Sequence, residues 1–142
     1  MWDLGGQVRL RYEDKENAGL YPNRDFISQG QDNSGDWLAL RTKVHLGYTP
    51  ASWVSLFVEG RDSRAWGDER DPCPDDDSTD LHQAFVVLGD GKQLPLILIV
   101  GPQEMTYGDE RYIGVSDWSN VGRVFDAVKV RFTNDVFWVD AF

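Results

Sequence analysis

The sequence predicts an all-β chain, an antiparallel up-and-down β-barrel of the transmembrane kind, of which about seven or eight strands are visible. Three observations carry this. Apolar and polar residues alternate with period two in one run after another, from Gln7–Glu13 to the C-terminal Val136–Phe142. The connections between runs are alternately long and short, as in outer-membrane barrels with short periplasmic turns and long extracellular loops. The mean hydropathy is −0.46 despite the aliphatic faces, as expected of strands that turn every second residue away from lipid.

The elements follow in order. In Gln7 to Glu13, Val8, Leu10 and Tyr12 oppose Gln7, Arg9, Arg11 and Glu13. Asp14 to Gly35, rich in Asn, Gly and Asp with Pro22, reads as a long loop. From Trp37 to Tyr48, Leu38, Leu40, Thr42, Val44, Leu46 and Tyr48 face one way and Ala39, Arg41, Lys43, His45 and Gly47 the other. Thr49-Pro50-Ala51-Ser52 makes a tight turn, with Pro50 fixing φ. Trp53 to Arg61 sets Val54, Leu56 and Val58 against Ser55, Phe57, Glu59 and Arg61.

Asp62 to Thr79 is a second long, acidic loop containing DPCPDDD. Asp80 to Leu88 is a strand apolar on both faces, so its orientation stays open. Gly89-Asp90-Gly91-Lys92 is a hairpin turn of the Asp-Gly type. Leu94 to Val100 places Leu96, Leu98 and Val100 opposite Ile97 and Ile99. Gly101 to Asp126 is a long polar crossing. Asp126 to Phe132 sets Val128, Val130 and Phe132 against Ala127, Lys129 and Arg131, and Thr133-Asn134-Asp135 turns into the last strand.

The 142 residues suit one domain, 1–142. A net charge of −10 argues against nucleic acid as a partner. Cys73 is the only cysteine, which excludes an intrachain disulfide and a cysteine-based metal site; between Pro72 and Pro74 it reads as a loop residue. No apolar run approaches the ~20 residues of a spanning helix. Met1 is followed directly by Trp2 and Asp3, so an export signal is expected to have been removed.

Where the register is clear, one face is aliphatic and the other carries Arg9, Arg11, Arg41, Lys43, His45, Arg61, Lys129 and Arg131, with few acids beyond Glu13 and Glu59. These eight are the predicted lining of a water-filled pore that attracts anions: a wall of one sign focuses its field, and arginine forks match carboxylates. The expected partners are an anionic polysaccharide or organic anions and the lipid bilayer of the outer membrane. No catalytic residue, metal or cofactor is expected.

The run VGPQEMTYGDERYIGVSDWSNVGRVFDAVKVRF, followed by NDVFWVDAF, resembles the alginate export family of outer-membrane β-barrels. That family's pattern is a strand ending in Gly-Arg-Gln-Glu, then Tyr-Gly-Asp-x-Arg, Asp-Trp-Ser-Asn and Arg-x-Phe-Asp. RLRYE and LHQAFV agree more loosely. The resemblance implies passive export of an anionic polyuronate through an arginine-rich lumen. It also implies that this chain is the N-terminal portion of a barrel of about eighteen strands. It carries over to Gln103, Glu104, Tyr107, Gly108, Asp109, Arg111, Asp117, Trp118, Asn120, Arg123 and Asp126. Of these, Arg111, Asp117, Arg123 and Asp126 are candidates for a loop or constriction. Pro102 stands where the family has arginine, and Ile97 and Ile99 replace polar lining residues.

Two other classes compete: a soluble all-β carbohydrate-binding module, and a glycan-cleaving enzyme using Asp109, Glu110 or Asp117. The acidic run Asp71, Asp75, Asp76, Asp77 and Asp80 lacks the spacing of a calcium loop and reads as solvated. His45 and His82 read as lining or packed residues, and Trp37, Trp53 and Trp138 as interfacial girdle. Seven strands do not close an ordinary barrel, so a fragment with two open edges is expected to self-assemble or to pair with a partner.

Overall fold

The computed structural model describes residues 1–15, 35–68, 73–92 and 94–142. They form one antiparallel sheet of seven strands, each bonded to its neighbours in sequence. The strands are β1 (Trp2–Lys15), β2 (Gly35–Ala51), β3 (Val54–Trp66), β4 (Asp77–Leu88), β5 (Leu96–Gln103), β6 (Phe125–Thr133) and β7 (Trp138–Ala141). Among the described residues there is no helix, and so none long and apolar enough to cross a membrane. β1 and β7 do not pair with each other, so the sheet is open among the described residues.

The meander and the period-two faces agree with the sequence; the strand lengths do not. β1 pairs with β2 from Trp2↔Tyr48 to Lys15↔Gly35, so its ladder runs through Gly5 and Gly6, which lack strand propensity. The second long loop is shorter than expected. Asp62 and Arg64 pair with Thr42 and Leu40 inside the β2–β3 ladder, and Asp77 already belongs to β4. Here cross-strand hydrogen bonds override composition. The expected loop 14–35 falls almost wholly on residues 16–34, outside those described, as do residues 69–72 of the acidic loop.

Burial is inverted relative to a water-soluble domain. The buried hydrophobics among the described residues are Trp37, Ala39 and Met105, whereas Arg41, Lys43, Glu59, Arg61, Ser63, Asp75, His82, Gln83, Gln103 and Asn120 are all buried. On the other face Leu4, Val8, Leu10, Val44, Leu46, Leu56, Val58, Leu96, Val100, Val128 and Val130 are exposed. The sheet therefore keeps its polar side covered and its aliphatic side open. The cover is the segment from Glu104 to Val124, which joins β5 to β6 and folds back across the polar face.

Candidate functional site

Four arginines and one asparagine hold this covering loop. Arg9 donates to the carbonyl of Asp117 at 2.5 Å and to that of Ser119 at 3.0 Å, and Arg11 donates to the carbonyl of Trp118. From β2, Arg41 reaches the carbonyl of Asp117 at 3.2 Å and its Oδ1 at 2.7 Å. From β3, Arg61 donates to the carbonyl of Val121. Asn120 is fully buried: its Nδ2 donates to the carbonyls of Leu40, Arg64 and Asp75 at 3.0, 3.2 and 2.8 Å, and its own carbonyl accepts from Ser63 Oγ at 2.8 Å.

The opposite end of the loop is tied to the other edge of the sheet. Tyr107 Oη donates to Asp140 Oδ2 at 2.6 Å, and its ring stacks on Phe142 at 5.2 Å between centroids. Burial, then the bond to the Asp140 carboxylate, pushes the Tyr107 phenol up to about 12. Arg131 grips both oxygens of Asp140 at 2.7 Å. A tight turn follows Tyr107, with Gly108, Asp109 and Glu110 at φ of 63°, 52° and 63°. A Cβ on Gly108 would lie 2.3 Å from the Tyr112 ring, so any larger residue there combines a left-handed φ with displacement of the exposed Tyr112 side chain. The loop thus spans the polar face from β7 to β1.

At its root lies a charge network made possible by a bulge. Glu59 pairs with Gln83 while Gly60 pairs with Leu81, so His82 is the extra residue in β4 and both His82 and Gln83 enter the polar side. Arg61 lies 2.9 Å from His82 Nδ1. A guanidinium only donates, so Nδ1 accepts and the ring proton sits on Nε2, which donates to Glu104 Oε1 at 3.0 Å. Lys43 Nζ lies 2.9 Å from the same oxygen and 3.5 Å from Glu59. The His82 bond, and then Lys43, hold Glu104 down to about 2 against the opposing effect of burial.

Glu59, His82 and Glu104 bring ligand atoms within 4.8 Å of one another, close enough for an ion. Lys43 already supplies positive charge there and Arg61 occupies Nδ1, so the group fits an internal ion-pair network better than a metal. Beside it opens a polar cavity of about 300 Å³ lined by Gly6, Gln7, Lys43, His45, Glu59, Glu104 and Asp117.

The eight predicted lining residues do share one face. Arg9, Arg11, Arg41 and Arg61 lie under or against the loop, and Lys43 lies at its root. His45 stacks on Phe57 at 5.3 Å and covers Gly5, where a Cβ would meet the ring at 2.6 Å. Arg131 and Lys129 stand opposite Ile97 and Ile99. The face is not of one sign, however. Arg11 pairs with Glu13 at 2.6 Å and Asp75 at 3.5 Å, and Arg61 pairs with Asp77 at 2.6 Å. Acids of β1 and β4 and of the loop before β4 turn inward to meet the cations. The acidic run is therefore not one solvated loop, since Asp75 is buried against Asn120 and Arg11.

Among the loop candidates, Asp117 sits on Arg41, Arg111 and Arg123 are exposed, and Asp126 lies in β6 opposite Pro102, on the side of Val128 and Val130. Trp37 is buried beside Ala39 on the polar side with Lys15 over its ring, and Trp138 packs with Tyr107 and Arg131. Neither is a lipid-facing girdle residue.

The alginate export family model matches residues 1–142, the whole chain. The chain belongs to the alginate export family. Neither a curated protein nor a solved structure matches it. Membership of an export family is a transport assignment, not a catalytic one. In this member of the family, Asp117, Trp118 and Asn120 hold the loop to β1, β2 and β3, whereas Tyr107 and Gly108 form the turn that fixes its other end. The roles of His82, Asp75 and Asp140 leave no periodic trace in the sequence, because they depend on a bulge, an inward loop and a cross-strand ion pair.

Proposed function

We propose that this chain forms wall and constriction of an outer-membrane β-barrel through which an alginate-like polyuronate, or a smaller organic anion, diffuses passively. The observation that carries the reading is the inverted burial: leucine and valine face outward while arginine, lysine, glutamate and histidine are covered. In water that arrangement loses hydrophobic burial; in a bilayer it places each face in its own solvent. The short turns at Ser52–Trp53 and Asn134–Phe137 belong to the periplasmic end, and the long connections to the extracellular end.

The pore lining comprises Arg9, Arg11, Arg41, Lys43, His45, Arg61, Lys129 and Arg131, and the loop from Glu104 to Val124 narrows it. Planar guanidiniums offer a passing carboxylate paired donors, and many weak sites in series hold a chain without trapping it. Seven strands in an open sheet require further strands, from the rest of a longer chain or from other copies, to close the wall.

Reconstitution in planar bilayers tests the reading. Stable conductance is expected, with an anion-over-cation reversal potential that falls when Lys129 and Arg131 are replaced by glutamine. Absence of conductance, together with solubility and folding without detergent, would favour the carbohydrate-binding module instead. Release of uronate fragments abolished by Asp117→Asn would favour the enzyme.

A further inference from the structure

Trp118 does not fit the roles that the other tryptophans fill. It stands on the covering loop, on the polar side, and the residue is 73% exposed. Its ring is nevertheless held in place. The Arg11 guanidinium carbon lies 4.7 Å from the ring centroid, and Arg11 is itself fixed by Glu13 and Asp75. The Trp118 carbonyl accepts from Arg9 and Arg11, so main chain and ring are clamped together. One ring face rests on the guanidinium and the other is open.

Two groups of different chemistry flank that face. Asp117 has Oδ1 on Arg41 at 2.7 Å, while Oδ2, in a side chain 63% exposed, is 4.0 Å from Arg9 and free to accept from a hydroxyl. Arg9 keeps about a fifth of its side chain, 22%, in the open. A flat apolar surface with an acceptor and a cationic donor beside it is what a sugar ring with hydroxyls and a carboxylate requires.

We propose that Trp118, with Asp117 and Arg9, forms a stacking platform for the hexuronate rings of a polysaccharide. This deepens the transport reading by naming a binding position within the passage. A pyranose lays its C–H face on the open side of the indole, its hydroxyls turn toward Asp117, and its carboxylate meets Arg9. The clamp means that little ordering of the tryptophan is needed on binding.

The test is isothermal titration calorimetry of the detergent-solubilised protein with a hexuronate oligosaccharide and with an uncharged hexose oligosaccharide of equal length. Trp118→Ala should weaken both by roughly three- to ten-fold, because stacking is indifferent to charge. Trp118→Phe should retain most of the affinity, with the loop as resistant to trypsin as in the wild type. The proposal is overturned if Trp118→Ala binds both sugars like the wild type, if it loses only the charged one, or if the wild type binds neither. Bilayer conductance decides the transport reading separately, so a silent protein that still binds through Trp118 would refute transport and leave the platform standing.

Discussion

Glutamine in place of Glu104 isolates the effect of one charge at the root of the covering loop. Its side-chain oxygen still accepts from His82 Nε2 and Lys43 Nζ, which lie at 3.0 and 2.9 Å, so shape and hydrogen bonds persist. An ordinary glutamate titrates near 4.5, whereas Glu104 is held to about 2. At about 1.4 kcal/mol per pH unit the gap corresponds to about 3 kcal/mol. The carboxylate is 32% exposed, and solvent screening reduces the expected contribution to about 2 kcal/mol. Because the folded-state pKa is depressed, this stabilisation is complete above pH 4.5 and disappears as pH falls through about 2. Urea unfolding in detergent micelles should therefore show Glu104→Gln about 2 kcal/mol less stable than wild type near neutral pH, with the difference shrinking toward zero near the bottom of that window. A difference that is already below about 0.5 kcal/mol at neutral pH, or that stays constant across the window, refutes the network as described.

Asn120→Ala removes one amide that serves three carbonyls and should cost about 2–3 kcal/mol; trypsin should then cut faster after Arg123, and an unchanged rate would show that Asn120 does not anchor the loop. Gly108→Ala forces a methyl to a φ of 63° and against Tyr112, at about 1–2 kcal/mol by the same unfolding assay. Tyr107→Phe should cost about 1–2 kcal/mol and abolish a phenol whose ultraviolet ionisation midpoint lies near 12. Since that pKa is raised, the stabilisation is fully present below about pH 10 and is lost as pH rises through 12, so a wild-type curve without the late phase would contradict the bond to Asp140.

The fold was legible wherever local chemistry repeats. Leu38 to Tyr48 alternates without a break, and its faces in β2 are those the alternation implies. The strand ends were not legible, because Gly5, Gly6, Asp62 and Asp77 are poor strand formers held by ladders with residues far away in sequence. That the eight basic residues share one face of the sheet followed from period two alone. Their partners did not, since Asp75, Glu104 and Asp117 reach the sheet from loops whose path no periodicity encodes. β4 resisted orientation because Ala84, Val86 and Leu88 on one face and Phe85 and Val87 on the other are all apolar; the bulge that turns both His82 and Gln83 to the polar side is a feature that alternation alone does not encode.

On the proposed reading, the inward fold of the loop also changes what the basic face can do. A row of bare arginines attracts anions through its net field, and passage requires that each site also be weak enough to leave. Here Arg9, Arg11, Arg41 and Arg61 already donate to carbonyls of the loop and to Glu13, Asp75, Asp77 and Asp117. On the proposed reading, an arriving carboxylate does not fill an empty site; it takes over donors that the loop then releases. A passing carboxylate is a stronger acceptor than the loop carbonyls but no stronger than the carboxylates of Glu13, Asp75, Asp77 and Asp117 that already hold these arginines, so the exchange is close to balanced and the loop's own oxygens stand ready to reclaim each guanidinium as the chain moves on. Binding energy along such a path is a difference between two sets of bonds rather than a sum of one set. A passage built this way lets a highly charged polymer pass without being held at any one position.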